Sequence, residues 1–266
     1  MYIRRAYQSG RVRVITGSLV PPPVAYANPV PTPANPQIAF LRLFASRYSS
    51  KACTLGSNSW RSLSKFNAIS DAEVLASIEK DAKQLRALCL DEKESFLVFT
   101  FESFERSSDM VIWTRLLENL ARIGIIGPRL FQVNEESDYQ IYLALDKCVK
   151  IAPIAKLFEE YLHFYGSGLV RVLSPGNHFV LPLQAGFRWM NESVQPVVAR
   201  REMSTDVALN FFVTEVTKTL IDTDALLSVL DAAVEATGVR EIARAFEVTQ
   251  ETVSYTHLTL PTKRIV

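Results

Sequence analysis

Residues 95–102 read SFLVFTFE, and the nature of that octapeptide decides the fold. Phe96, Leu97, Val98, Phe99 and Phe101 leave no polar stripe, and aromatic and β-branched side chains suit a pleated, buried surface. The stretch therefore predicts a buried strand that ends on an acid, Glu102. Downstream, a helical period begins at about Ser108, sets Trp113, Leu116, Leu117 and Leu120 on one face and stops at Gly124. RLFQV, from Arg129, reads as a second strand and QIYLAL, from Gln140, as a third. A second helix opens near Pro153, a residue tolerated in a first turn, and gathers Ile154, Leu157, Phe158, Tyr161 and Leu162 before Gly166. LVRVL (169–173) is a fourth strand and HFVLPL (178–183) a fifth. The order β-α-β-β-α-β predicts an α+β fold. Its core is a split βαβ (RRM- or ferredoxin-like) antiparallel sheet with two helices on one face.

The flanks divide the rest. Seven of the thirteen prolines fall in PPPVAYANPVPTPANP (21–36), which has to be extended because proline fixes φ and lacks a donor. Residues 1–36 are thus expected to be a disordered, basic and Pro-rich leader, and 37–200 the folded α+β domain, opened by helical spacing in IAFLRLFASR. Ahead of the central module, Ser70 and Glu73 form an S-x-x-E capping box for a helix burying Val74, Leu75, Ile78, Leu85 and Leu88. Residues 201–252 are expected to form a truncated helical segment, with two apolar helices between 204 and about 236 broken near Asp222 to Asp224. VREIARAFEVTQETV, from Val239, resembles a helix-turn-helix core. VSYTHLTLPT (253–262) resembles a translated sequencing adapter, so 253–266 is read as a non-native tail and His257 as no part of any site.

Composition excludes more than it assigns. The chain has 266 residues, is 48% hydrophobic and carries a net charge of +1, enough for one large core or two small ones. Nine of the 29 Lys and Arg precede Asp71, but none of the 28 Asp and Glu does. That basic arm could touch phosphate or a membrane surface, or simply be solvated. Arg11 and Arg13 interrupt any secretory h-region, and no run approaches the roughly 18 apolar residues of a membrane span, so a cytoplasmic protein without membrane partners is expected. Cys53, Cys89 and Cys148 lack C-x-x-C spacing, which argues against a zinc site or a disulfide framework. No Ser-His-Asp or Cys-His relation can be inferred. Glu102, Glu105 and Asp109 could converge around one loop or serve as charges at a helix N-terminus. The GSG at 166–168 follows a helix and reads as its stop. Phe99, Phe101 and Tyr142 could stack bases or belong to the core.

FLRLFASR (40–47), FLVFTFE, SDYQIYLAL and NHFVLPLQAGFRWMN (177–191), in this order and spacing, resemble the archaeo-eukaryotic primase superfamily, above all the primase-like proteins of mobile elements. The resemblance covers residues 38 to about 195 and lies in pattern more than in invariant residues. It implies a D-x-D pair at the end of the first core strand, where alternation puts both acids on one face for two metal ions. Thr100 and Glu102 stand there. It implies a turn and a histidine that meets the nucleotide's phosphates, and Ser137 and Gln140 stand there. A third acid is matched by Arg171, and the later His-Arg pair by His178 and Val180.

The resemblance thus implies a primase-polymerase relative in a DNA replication or mobile-element context, with impaired catalysis. Glu102 would be its metal-facing acid, Gln140 and His178 its phosphate-contacting donors and Ser137 a nucleotide-side residue. Mg or Mn is implied if it is active and no cofactor otherwise, with DNA or RNA as partner and a nucleotide as possible ligand. The alternative is a non-enzymatic nucleic-acid-binding or adaptor protein on an RRM-like fold, with or without a C-terminal helix-turn-helix. A third reading is a protein-interaction domain that has converged on a common fold.

Overall fold

The computed structural model describes residues 35–237, apart from 58, 64–67, 103–104, 134–137 and 219, together with 5–8 and 11–14. Within the leader read as disordered, Arg5–Gln8 (β1) and Arg11–Val14 (β2) pair as an antiparallel hairpin. Most of the proline-rich linker, the helix-turn-helix-like stretch and the tail at 253–266 lie outside the described residues.

Helix α1 (Pro36–Leu43) starts where Asn35 accepts bonds from the amides of Gln37 and Ile38, with proline in the first turn. Two short strands, β3 (Ser50–Thr54) and β4 (Arg61–Ser62), come next. Helix α2 (Asp71–Ser77) carries the expected capping box between Ser70 and Glu73. It ends sooner than its apolar spacing suggests. Leu85 and Leu88 belong instead to strand β5 (Gln84–Cys89), because the chain turns after Ile78 and the two leucines only mimic the helical period across the turn.

The central module follows as β6 (Lys93–Glu102), α3 (Arg106–Arg122), β7 (Leu130–Gln132), β8 (Asp138–Lys150), α4 (Ile151–Phe164) and β9 (Arg171–Val172). After it come β10 (His178–Val180), β11 (Arg188–Met190), β12 (Pro196–Ala199), a single 3-10 turn at Arg200–Glu202, α5 (Thr205–Thr217) and α6 (Thr223–Thr237). The large sheet runs β12-β11-β7-β8-β6-β9 with antiparallel neighbours throughout. Its four strands β7-β8-β6-β9 have the order in which each of two β-α-β units brackets a strand of the other, the split βαβ core. The fold class is α+β.

The fifth strand is the exception. HFVLPL does not extend this sheet; only His178–Val180 is strand, and it pairs with β5 in a second, four-stranded sheet, β10-β5-β3-β4. Side-chain alternation along β6 and β8 separates two packing layers. Phe99 meets Phe158 of α4 edge-on at 4.9 Å on one face. On the other, Phe96 and Tyr142 join Phe44, which follows α1, Phe212 of α5 and Phe179 of the small sheet. The large sheet therefore has helices on one side and the small sheet with α1 and α5 on the other. Helix α6 is tied back to β8, because Asp146 accepts from the Thr223 amide and hydroxyl at 3.1 and 2.5 Å. Among the described residues no helix is long and apolar enough to cross a membrane.

Candidate functional site

Register decides which side chains meet at the end of β6. Thr100 lies opposite Gln140 of β8 on one side and Arg171 of β9 on the other. Directly opposed residues share a sheet face, so these three form a row across the central strands. Two residues on, Glu102 lies opposite Asp138 on the same face. The sheet thus gathers Thr100, Glu102, Gln140 and Arg171, four of the positions singled out in the sequence. That face is the one turned toward the small sheet, since Gln140 and Tyr142 share it.

The row grades from core to solvent. Gln140 is only 3% exposed, and its Oε1 accepts a 2.5 Å hydrogen bond from the Tyr142 hydroxyl. Burial pushes the Tyr142 hydroxyl well above the usual phenol range, so it stays a donor. With one lone pair of its oxygen so occupied, Gln140 offers a ligand chiefly its amide N–H groups. Thr100 is half-buried and donates through Oγ1 to the Tyr139 carbonyl at 3.0 Å. Glu102 and Arg171 are exposed, and Asp138 is half-buried.

Other expected members fall elsewhere. Ser137 lies outside the described residues. His178 sits on β10 of the small sheet, where its neighbour Phe179 points into the inter-sheet aromatic cluster; alternation turns His178 to the opposite face, away from the Thr100 row. Burial first, and the Lys51 charge second, lower its pKa. Asp109 is buried on the helical side of the large sheet and accepts from the Tyr139 hydroxyl at 3.4 Å, so it does not converge with Glu102. Phe99, Phe101 and Tyr142 are at most 3% exposed, which makes them core and removes them as a base-stacking platform. Asp138 is the residue that sequence reasoning missed. Its signal was present, an acid two positions before Gln140 on the same strand face, but its partner depends on register.

A two-metal centre needs several carboxylates within reach of both ions. The described positions supply Glu102 and Asp138, flanked by a threonine and by a guanidinium of the metal's own charge sign. Among the described residues that donor set does not fit two metals. Among the described residues, no group of three or more His, Cys, Asp or Glu is arranged to hold a metal ion.

No family model matches the chain, and no curated protein matches it. Among solved structures, it is similar to the polymerase domain of Mycobacterium tuberculosis ligase D in complex with DNA. The likeness spans 74% of this chain and 86% of that one, at 12% identity and a TM-score of 0.30. At that level it assigns no activity.

Proposed function

We propose that this chain is a primase-polymerase-type domain in a replication or mobile-element context that engages nucleic acid or nucleotide phosphate at the end of its large sheet, with two-metal catalysis impaired. The observation that carries the reading is the register row. Thr100 stands between Gln140 and Arg171, with the Glu102–Asp138 pair two residues on. In this reading Arg171 is an exposed guanidinium that meets phosphate oxygens, a geometry its planar fork suits. Gln140 orients the row through Tyr142 and contributes an amide donor, and Ser137 keeps the nucleotide-side role that the resemblance implies. Thr100 and Arg171 in place of acids are what impair the metal chemistry.

A second reading rests on the opposed carboxylates of Glu102 and Asp138. Register sets the two acids side by side on neighbouring strands and on one face, an arrangement that suits a divalent cation. They would hold one divalent ion, Mg or Mn, which would supply charge neutralisation at a phosphoryl oxygen. A nucleotide-incorporation assay with Mg or Mn, run beside salt-dependent DNA and RNA binding, separates the readings. The first expects binding that weakens with salt, a salt slope about one unit shallower in Arg171→Ala, and no incorporation. Incorporation lost in both Glu102→Ala and Asp138→Ala supports the second. Absence of nucleic-acid and nucleotide binding overturns both, leaving the protein-interaction domain.

A further inference from the structure

A second cluster of cations stands apart from the Thr100 row and shares no residue with it. The chain just after α2, the loop before β11 and the turn after β12 enclose a cavity of about 200 Å³ lined by Glu79, Lys80, Arg188, Arg200 and Arg201, among others. The loop is a tight turn, in which the Phe187 amide bonds the Gln184 carbonyl at 3.1 Å and Gly186 takes φ 88°. Glycine adopts that left-handed conformation without a Cβ penalty, and the turn delivers Arg188 to the cavity wall. Opposite it, the Arg200 amide bonds the Phe187 carbonyl at 2.9 Å, which fixes the start of the 3-10 turn and places Arg200 and Arg201 beside the loop.

Arg200 is the unusual member. It is 4% exposed, yet its guanidinium forms no ion pair with any described carboxylate. Its Nη2 donates to the Ile78 carbonyl at the end of α2 and to Thr205 Oγ1, and its Nη1 donates to the Met203 carbonyl. Its Nε–H is buried with no hydrogen-bond partner among the described residues. Glu79, the acid of the cavity, accepts from Thr205 Oγ1 at 2.7 Å instead of bonding the guanidinium. Lys80, Arg188 and Arg201 likewise form no ion pair among the described residues, so four cations face one carboxylate that is already engaged. Buried charges are ordinarily paired, and burial lowers the Arg200 pKa even with Glu79 opposing the shift. Arginine nevertheless keeps its proton. The cavity wall therefore carries more positive than negative charge.

We propose that this cavity is an anion site for a phosphoryl group, borne either by a free nucleotide or by a phosphate of a nucleic acid. A half-buried guanidinium, an exposed one and a lysine around a recess suit a tetrahedral oxyanion of more than one negative charge better than a single carboxylate. The inference goes beyond the proposed function and stands without it. It is tested by calorimetric titration of the full chain with inorganic phosphate, with ATP, and with a single-stranded oligonucleotide carrying a 5′-phosphate or a 5′-hydroxyl. The expected result is binding of a phosphate-bearing probe that weakens about tenfold for each charge-assisted hydrogen bond removed in Arg188→Ala and in the Lys80→Ala, Arg201→Ala double variant.

Preference for ATP over the oligonucleotides assigns a nucleotide; preference for the 5′-phosphate strand over its 5′-hydroxyl counterpart assigns a terminal phosphate; equal binding of both strands assigns backbone phosphate. Lys80 and Arg201 are exposed, so the double variant tests the site without disturbing the buried Arg200. The assignment is overturned if no probe binds, or if binding is indifferent to the cavity variants. It is equally overturned if Arg171→Ala alone removes binding, which would locate the anion at the sheet end and leave the proposed function standing.

Discussion

The inner and outer parts of the same two strands have opposite characters. Around Phe96 to Phe99 and Ile141 to Ala144, both faces of β6 and β8 are at most 4% exposed. Further along, the face toward the small sheet carries Thr100, Gln140, Glu102 and Asp138. A sheet whose only task was packing would continue its apolar pattern to the strand ends or finish in loosely placed polar residues. Here the polar groups are aligned by register, and the buried Gln140 at the boundary is bonded to the core through Tyr142. The difference teaches that the aromatic layer serves as a rigid floor on which a polar row is held, the support a binding site needs if its groups are to stay in place.

Loss of the aromatic floor should cost the molecule most. Phe44 touches the rings of Phe40, Phe96, Tyr142, Phe179 and Phe212, bridging both sheets and two helices. Phe44→Ala should cost about 3–5 kcal/mol in urea unfolding, because the cavity lies where no single element can collapse into it. Tyr142→Phe probes the boundary alone. It keeps the ring but strands the Gln140 oxygen in the interior, so a loss of about 1–3 kcal/mol is expected. A neutral result would mean that Gln140 has another partner and that floor and row are not linked through this bond.

The floor was largely legible in the sequence and the row only partly. SFLVFTFE, QIYLAL and the helical faces around Trp113 and Phe158 declare themselves because burial on both sides, or on one helical stripe, dictates residue type over a whole element. The second sheet did not, since β3, β4, β5 and β10 are two to six residues long and carry exposed or half-exposed polar side chains such as Lys51, Arg61 and Arg86. The pairing of His178 with Cys89 joins segments far apart in the chain, and no local period encodes it. For the row, the β-α-β-β-α-β order already brings the ends of three strands together, so the meeting of Thr100, Gln140 and Arg171 followed from topology. That Asp138 faces Glu102 did not, because a one-residue slip would have turned it to the other face.

The small sheet offers a sharper contrast through pH. Burial and Lys51 hold the His178 pKa below its ordinary 6.5. Below pH 6.5 the unfolded chain binds a proton that the folded chain resists, so His178 makes stability fall as pH drops from about 6.5 toward the folded pKa and adds no further slope below it. Unfolding curves taken between about pH 7.5 and 5 should show that decline, and His178→Asn should flatten it. No matching change in ligand affinity is expected if His178 is separate from the row. A parallel change in both would return the histidine to the site.

The smallest stability effect carries the most information about function. Glu102 is exposed at the strand end and opposes another acid, so Glu102→Gln removes a like-charge pair and should raise stability by about 0.2–1 kcal/mol. Arg171→Ala, also at an exposed position, should change it by no more than about 0.5 kcal/mol. At inner positions of the same strands every truncation is destabilising, so a gain on removing a charge at the tip would mark a position held for something other than folding. If Arg171→Ala also weakens nucleic-acid binding at unchanged stability, the row is a phosphate-contacting surface. If Glu102→Gln destabilises instead, Glu102 has a favourable partner at the strand end, and the opposed acids lose their reason to attract a cation.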